Sequence, residues 1–476
     1  MKSKHGFWTA FFCAFFLFAA SVHAETGEDI TAQARIVGDG VNTAGLTDNN
    51  LATHAAGTDL TLTISSDIPM GGLYLKYALP PSGGMLNGTV PIAVNGFLHE
   101  YIPLEGSNTA VLSYPEADLC EIQVYSVGEA PDEVQRWEVG EPDTDILLFA
   151  AHSDDDQLFF AGLLPYYTAR SVRVRVAYFI NHYDTYNRTH ELLDGLWHCG
   201  VTSYPDISPF PDGYSESADS AARFLESRGF SYSDCVTYQR ALLDKYKPLV
   251  AVLHDREGEY GHGAHMLDTA TFLEACAASE NQYIPEKIYI HLYADNPLTL
   301  DIDSPLDAFG GKTAFQVSQE AFRFHKSQHW TWFYEWIYGK NGSITAASQI
   351  RSYNPAKYGL YASRVGADTG ANDMLENIVT YAEREAKAAK AAEEAKAAAE
   401  KAAREEQARL EEEAREKQRL AEQSARLQAQ ESARRTDTQR RRILFGILGI
   451  AAVGMASAVA VQRYLHQKRK NRKKEK

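Results

Sequence analysis

The chain has 476 residues, a formal net charge of −16 and 45% hydrophobic residues, enough for two folded units with further segments besides. The charge is uneven, because eight basic residues and one Glu between Arg463 and Lys476 leave the rest of the chain at −23. So acidic a body excludes nucleic acid as a partner, since phosphate binding calls for a basic face.

In chain order, Lys2 and Lys4 precede an apolar run from Phe7 to Ala20 and then Val22-His23-Ala24. This reads as an export signal over residues 1–24, cleaved after a small-x-small site. Export to an oxidising compartment permits disulfides among Cys120, Cys199, Cys235 and Cys276. Cys199–Cys235 is one such pair, but spacing does not choose among three connectivities. No cysteine stands in a CxxC motif, which argues against a thiolate metal site.

Residues 25–130 are rich in Thr, Gly, Ser and Asn. The short alternating runs Leu60–Ile64, Leu73–Tyr77 and Glu121–Tyr125, separated by turn residues, predict an all-β sandwich. Residues 131–144, with Pro131 and Pro142, read as a linker. Over 145–371 the pattern changes. Ile146–Ala150 is a continuous apolar run of the kind buried on both faces of a sheet, and Val172–Phe179, Leu249–Leu253 and Ile288–Leu292 follow it. Helical patterns fall near Arg188–His198, Ser217–Arg228, Tyr238–Tyr246 and His265–Ala278. The alternation predicts an α/β domain built on a mostly parallel sheet with flanking helices.

Residues 372–435 are dominated by Ala, Glu, Lys, Arg and Gln, with acid-first pairs four apart such as Glu383/Lys387, Glu411/Arg415 and Glu413/Lys417. No a/d heptad is sustained, so the segment predicts a charged helical stalk, solvated singly or in a weak coiled coil. Residues 443–461 form an uncharged stretch long enough to span a bilayer as a transmembrane helix, and a basic tail over 462–476 follows. With the leader, this predicts an exported single-pass membrane protein, its body extracellular or periplasmic and its C-terminus cytoplasmic. Ala452, Ala456 and Ala460 form a small-xxx-small row. Such a row offers a route to self-association, or serves as plain apolar filler.

The chemistry concentrates in Ala151-His152-Ser153-Asp154-Asp155-Asp156, directly after the Ile146–Ala150 run. Ligands of open α/β sheets sit beyond the carboxyl ends of strands. A His and three carboxylates crowded there call for a cation, because like charges oppose mutual ionisation. Tyr260-Gly261-His262-Gly263-Ala264-His265 lies beyond the Leu249–Leu253 run and supplies two more histidines. One His, one Asp and a distant second His give three protein ligands with a position left open, the pattern of a catalytic zinc site. Taken singly, the first segment also reads as a solvated acidic loop or calcium site, and the second as surface histidines.

Ala151–Asp156 resembles the Ala-His-Pro-Asp-Asp-Glu signature of the PIG-L/LmbE-type de-N-acetylases, and Gly261–His265 resembles that family's His-x-x-His element. Arg188-Thr-His-Glu191 looks like its Arg-x-x-Glu helix. Ala321–Gln328, with His325, Ser327 and Gln328, looks like its late His-x-Ser-Gln element. The resemblance covers about residues 143–340. It implies a Rossmann-like fold and one metal ion, Zn2+ with Fe2+ as the alternative, held by His152, Asp155 and His265. It further implies Asp154 as general base, a protonated His262 stabilising the oxyanion, and Arg188, Glu191 and His325 at the substrate. For Arg188 and Glu191 a buried ion pair holding the site is the other reading. Ser153 stands where the family has Pro, and Asp156 where it has Glu; neither is an implied ligand.

The activity so implied is removal of an acetyl group from a GlcNAc-type N-acetylated sugar or glycoconjugate at the cell surface. A reading from another class is a non-catalytic glycan-binding or adhesion protein with an inactive deacetylase-like domain. The intact set of His152, Asp154, Asp155, His262 and His265 argues against it. Residues 30–130 more loosely resemble discoidin-like galactose-binding jelly rolls, through Leu46–Thr53 and the strands named above, which implies either glycan contact through loops or a spacer. Trp330, Trp332, Tyr334 and Trp336 read as the packing of a core or rim helix, with stacking on sugar rings as the alternative.

Overall fold

The computed structural model describes residues 25–140, 142–277 and 282–472; the expected leader lies outside them, as does the end of the basic tail. The N-terminal region is all β, as its Thr-rich alternation predicts. Strands β1 (Ala34–Gly38), β2 (Ala55–Tyr77), β3 (Gly84–Leu86), β4 (Val90–Ile92) and β5 (His99–Ser126) form one sheet in the order β1-β2-β5-β3-β4. Leu60, Leu62 and Ile64 point inward and are buried, and the intervening threonines stay partly exposed. This is the period-two rule of a strand with one covered face. The strands differ in length from the short runs of the sequence. Ala55 faces Leu119 and Ser65 faces Thr109, after which Met70 faces both Ser126 and Ser107, so the second half of β2 is flanked by two segments of β5.

Residues 131–144 pack where the sequence reads only a linker. Val134 is fully buried, Gln135 Nε2–H donates to Asp194 at 2.6 Å, and Trp137 lies edge-on to Trp197 and Tyr204.

The α/β region runs β6 (Ile146–Ala150), α1 (Leu163–Thr168), β7 (Val174–Tyr178), α2 (Tyr186–His198), β8 (Asp206–Ile207), α3 (Ala218–Ser227) and α4 (Tyr232–Tyr246). It continues with β9 (Val250–Leu253), α5 (Gly263–Ala277), β10 (Lys287–His291) and β11 (Pro297–Thr299). After these come the small hairpin of β12 (Pro305–Leu306) and β13 (Lys312–Thr313), then α6 (Ala314–Phe322), α7 (Trp332–Tyr338) and β14 (Lys357–Ser363). The sheet order is β11-β14-β10-β9-β6-β7-β8. From β10 to β8 neighbouring strands are parallel, and β14 and β11 are antiparallel additions at one edge.

Every residue of β6 is buried, as its unbroken apolar run predicts, and each large side chain there contributes about 1.5–3 kcal/mol on burial. Its parallel neighbour β9 ends beside it, which brings the two chemistry-bearing loops together. Helix α4 begins well before the predicted Tyr238, because Ser231 and Asp234 close a capping box ahead of it. Cys120, Cys199, Cys235 and Cys276 are free thiols; Cys199 and Cys235 belong to separate core clusters.

The β region and the α/β region meet at a buried seam along α2. Tyr74 Oη lies 2.7 Å from His99 Nδ1, His99 Nε2 lies 2.6 Å from His190 Nδ1, and Cys120 Sγ lies 3.6 Å from His190 Nε2. Burial pushes the His190 imidazole down to about 3 and, with Lys76, holds His99 well below its usual value, so both rings are neutral. Unfolded imidazoles titrate near 6.5. Below that pH the unfolded chain therefore binds protons that the folded one refuses, and stability falls as pH falls. Urea midpoints measured from pH 7 to 4 are expected to drop more steeply in the wild type than in His190→Asn, by up to ~1.4 kcal/mol per pH unit. Equal slopes would show that the seam carries no such linkage.

Helix α8 (Tyr381–Arg472) is continuous over 92 residues, about 140 Å of helix, with no break between the stalk and the apolar stretch. It starts later than the expected residue 372, because Met374 and Ile378 bury themselves and Asp373 accepts from Tyr167 Oη–H. Glu383 closes a capping box with Thr380 at the helix start. The Glu411–Arg415 pair forms at 3.9 Å, an exposed contact contributing a few tenths of a kcal/mol. The apolar stretch makes α8 long and apolar enough to cross a membrane.

Candidate metal centre and active site

Two loops build the site, one leaving β6 and one leaving β9. They are locked together at their roots, where the Ala151 amide donates to His254 Nε2 at 2.9 Å. Past Ala151 the chain tightens into a turn in which the His152 amide donates to Asp155 Oδ2 at 2.6 Å. That bond aims the Asp155 carboxylate back over its own loop. From the second loop, α5 carries His265 in its first turn. Gly261 takes the left-handed φ of +79° that the turn requires. Gly263 has no room for a side chain, since a Cβ there would stand 2.4 Å from the Ser217 carbonyl.

The three expected ligands come together. His152 Nδ1 lies 3.3 Å from Asp155 Oδ2 and 3.2 Å from His265 Nε2, and His265 Nε2 lies 3.4 Å from the same Asp155 oxygen. Ligand bonds of about 2.0–2.1 Å at tetrahedral angles place donor atoms roughly 3.3 Å apart, so the residues fit a small divalent ion. All three are buried. Burial raises the Asp155 carboxyl, but His265, His254 and the His152 hydrogen bond more than reverse it and hold it well below the usual range. Burial brings His265 down to about 4 against the upward pull of Asp155 and Glu259, leaving a lone pair to donate.

Three residues beyond these complete the centre, none of them singled out in the sequence. Glu259, fully buried, accepts from His265 Nδ1–H at 2.6 Å, from His254 Nδ1–H at 2.7 Å and from His291 Nδ1–H at 2.6 Å. The first bond fixes the His265 tautomer so that Nε2 faces the ligand cluster, the usual service of a carboxylate behind a metal-binding imidazole. His254, stacked 4.0 Å from His265, stands 3.3 Å from Asp155 and makes a second geometric trio with Asp155 and His265. The two flanking carboxylates pull its ring up to about 10, after overcoming burial, whereas the Ala151 amide requires a bare Nε2. The amide contact is the firmer constraint, because it comes from the backbone, and it removes His254 from the ligand set. His291 presents its other nitrogen to the Asn354 carbonyl at 3.1 Å. A Glu six residues past the end of β9, between His254 and His262, is the local signal for this hub. Its reach to His291, on a separate strand, has none.

The other expected site residues divide. Asp154 stands beside the trio with Oδ2 buried and without a hydrogen-bond partner, while Oδ1 lies 3.4 Å from Arg188 Nη2. Burial raises its carboxyl, Arg188 opposes, and the net displacement is upward. Arg188 also approaches Asp212 at 3.8 Å, so of its two readings the ion pair is the one seen. Asp212, from the loop after β8, lies 3.7 Å from His152 Nε2 and 3.4 Å from His182 Nε2. It stands behind His152 on the side away from the ligand cluster, as Glu259 stands behind His265.

Glu191 accepts from the Ser327 amide at 3.0 Å and hydroxyl at 2.5 Å, tying the late His-x-Ser-Gln element to α2. His325 is fully buried with Nε2 2.6 Å from Gln157 Oε1. Both oxygens of Glu191 and Nε2 of His325 are thus engaged by the protein, while His325 Nδ1 is buried without a hydrogen-bond partner. Burial and the neighbouring His152 and His265 push His262 down to about 2, and its Nδ1 accepts from the Ala264 amide at 3.2 Å, which leaves Nε2 as its donor. Asp156 accepts from Gln157 Nε2–H and takes no place in the ligand set.

The aromatic segment also divides. Phe333 and Trp336 pack on Phe159, as the packing reading holds, but Trp330 is 84% exposed and Trp332 47%.

No family model and no curated relative matches the chain. Solved structures that resemble it include deacetylases of the LmbE/PIG-L type, each over part of the chain. The N,N'-diacetylchitobiose deacetylase from Pyrococcus horikoshii shares 14% identity at a TM-score of 0.33, covering 46% of this chain and 84% of that one. The zinc-inhibited form of teicoplanin deacetylase Orf2 shares 14% at 0.27, covering 39% and 85%. GalB, a 4-carboxy-2-hydroxymuconate hydratase from Pseudomonas putida KT2440, shares 14% at 0.29, covering 48% and 100%. Likenesses of this degree fix neither reaction nor substrate, and the hydratase differs in both from the deacetylases. The discoidin-like resemblance of residues 30–130 finds no support among them.

Proposed function

We propose that the chain is a divalent-metal-dependent de-N-acetylase of the PIG-L/LmbE type, acting on a GlcNAc-type N-acetylated sugar outside the membrane that residues 443–461 would cross. The observation that supports it most is the mutual approach of His152, Asp155 and His265 to 3.2–3.4 Å, with the unpartnered Asp154 oxygen beside them.

His152, Asp155 and His265 would hold the ion, and a bound Zn2+ or Fe2+ supplies Lewis acidity toward water and the acetamide carbonyl. Asp154 takes the proton of the attacking water at its free Oδ2, a task suited to a carboxylate raised by burial. The same oxygen then returns the proton to the amine nitrogen as the C–N bond breaks. His262 Nε2–H donates to the carbonyl oxygen as charge gathers there, and needs no positive charge to do so. Arg188 keeps Asp154 oriented through Oδ1. Glu259 keeps the His265 imidazole turned toward the ion, and Asp212 stands at ion-pair distance behind His152.

The test is metal content together with free-amine release by the full chain in detergent, on N-acetylglucosamine and its oligomers. One equivalent of metal per chain is expected, with amine release abolished by chelation and restored by Zn2+ or Fe2+. Bound metal without amine from any substrate would favour the glycan-binding reading, and absence of metal would sink the mechanism.

A further inference from the structure

The rings around His262 extend outward from the metal centre in series. Tyr214 lies 5.4 Å from His262, nearly perpendicular to it, and is 70% exposed. Tyr260 also lies 5.4 Å from His262, and Trp332 lies 5.7 Å from Tyr260. Tyr214 and Trp332 stand exposed beside the site, whereas Tyr260 between His262 and Trp332 is partly buried against Phe159 and Phe333.

Tyr260 carries a second sign. Its φ of +47° and ψ of 21° place a bulky side chain in the left-handed region, in a turn where Gly258 and Gly261 already hold positive φ. Such a conformation costs about 1–3 kcal/mol and persists where the surroundings hold it for a purpose. Here it carries the ring into contact with His262, His265 and Trp332 at once.

We propose that the exposed Tyr214 and Trp332, the latter joined to His262 through Tyr260, form an aromatic track for successive sugar rings beside His262. The substrate class would then be an extended, neutral N-acetylhexosamine oligosaccharide rather than a single or phosphate-linked sugar. This rests on the de-N-acetylase reading. The C–H faces of pyranose rings are apolar and pack on aromatic faces, and the ring-to-ring steps of the track are comparable with the length of one sugar residue. Charge points the same way. Arg188, the cation at the site, is engaged by Asp154 and Asp212, and the body of the protein is strongly acidic, so a phosphorylated or polyanionic substrate meets repulsion.

The experiment uses the full chain in detergent with Zn2+ and N-acetylglucosamine oligomers of one to six residues. It measures kcat/KM by amine release and, independently of catalysis, binding by quenching of tryptophan fluorescence. In the wild type kcat/KM is expected to rise with length, and Trp332→Ala to remove about tenfold of that rise through KM, the ~1.4 kcal/mol of one aromatic contact. Tyr214→Ala, at a mostly exposed position where folding is not at stake, is expected to act in the same direction. Length-independent kcat/KM in the wild type, or an unchanged length dependence in both variants, would overturn the track while leaving the de-N-acetylase reading standing. Length-dependent quenching that Trp332→Ala abolishes, without amine from any oligomer, would establish the track and overturn that reading instead.

Discussion

Asp154→Asn is expected to lower kcat by about 10²–10⁴ while metal content stays at the wild-type value. Asparagine has nearly the shape of aspartate and can keep an oxygen toward Arg188, so the loop should survive. It cannot accept a proton from water at the neighbouring atom. Because Asp154 Oδ2 has no hydrogen-bond partner of its own, the substitution strips no contact from the fold at that atom. The loss should therefore fall on kcat and leave KM largely in place, the signature of an interaction made in the transition state. Metal analysis of the purified variant with steady-state amine release checks both halves. A variant that loses its metal would move Asp154 into the ligand set, and one that keeps full activity would remove it from catalysis.

Glu259→Gln should do more damage to the molecule as a whole. A buried carboxylate facing three imidazole N–H groups at 2.6–2.7 Å is the most heavily committed charge at the site. An amide offers one acceptor oxygen and turns its NH2 toward donors, so at least one imidazole is left facing the wrong group. Breaking a buried, hydrogen-bonded charge constellation costs about 3–5 kcal/mol. In a domain of this size that corresponds to roughly 6–20 °C in Tm. With the His265 tautomer no longer fixed, metal affinity should fall about 10–100-fold. Thermal denaturation with and without metal, and chelator competition, measure the two effects separately.

The pH dependence carries the same mark. Burial raises the Glu259 carboxyl, but the imidazoles outweigh it and hold it well below 4.5. Its contribution to stability is therefore complete above pH 4.5 and is lost as pH falls through the lower folded value. Glu259→Gln should flatten that part of the acid-denaturation curve.

How much of this centre the sequence discloses follows from how local each feature is. The proposed ligands His152, Asp155 and His265 are legible because they lie on the loops that follow two apolar runs, and parallel neighbours must end side by side. Strand β6 is read to the residue for the same reason: five buried positions admit no alternation. The hub at Glu259 is only half legible, since His291 reaches it from β10 and nothing in the spacing joins residues 259 and 291. Asp212 is hidden more deeply, on an irregular loop whose path depends on Gly263 admitting the Ser217 carbonyl. The downward shift of His262 is not legible either, because burial, invisible in composition, is its first cause. Helix α4 starts before its apolar pattern does because a cap, not periodicity, begins it. Likewise α8 starts after residue 372 because two apolar residues found a core to enter.

Helix α2 ties the two halves of the body in a way that bears on descent. One face places Arg188 against Asp154 and Glu191 against Ser327, and the intervening His190 meets His99 of the β region. A lineage cannot exchange the β region for another module, or drop it, without leaving a buried imidazole unpaired two residues from Arg188, which pairs with Asp154. The two regions are thus bound to be inherited together, and a replacement on either side of the seam would be accepted only with its complement on the other.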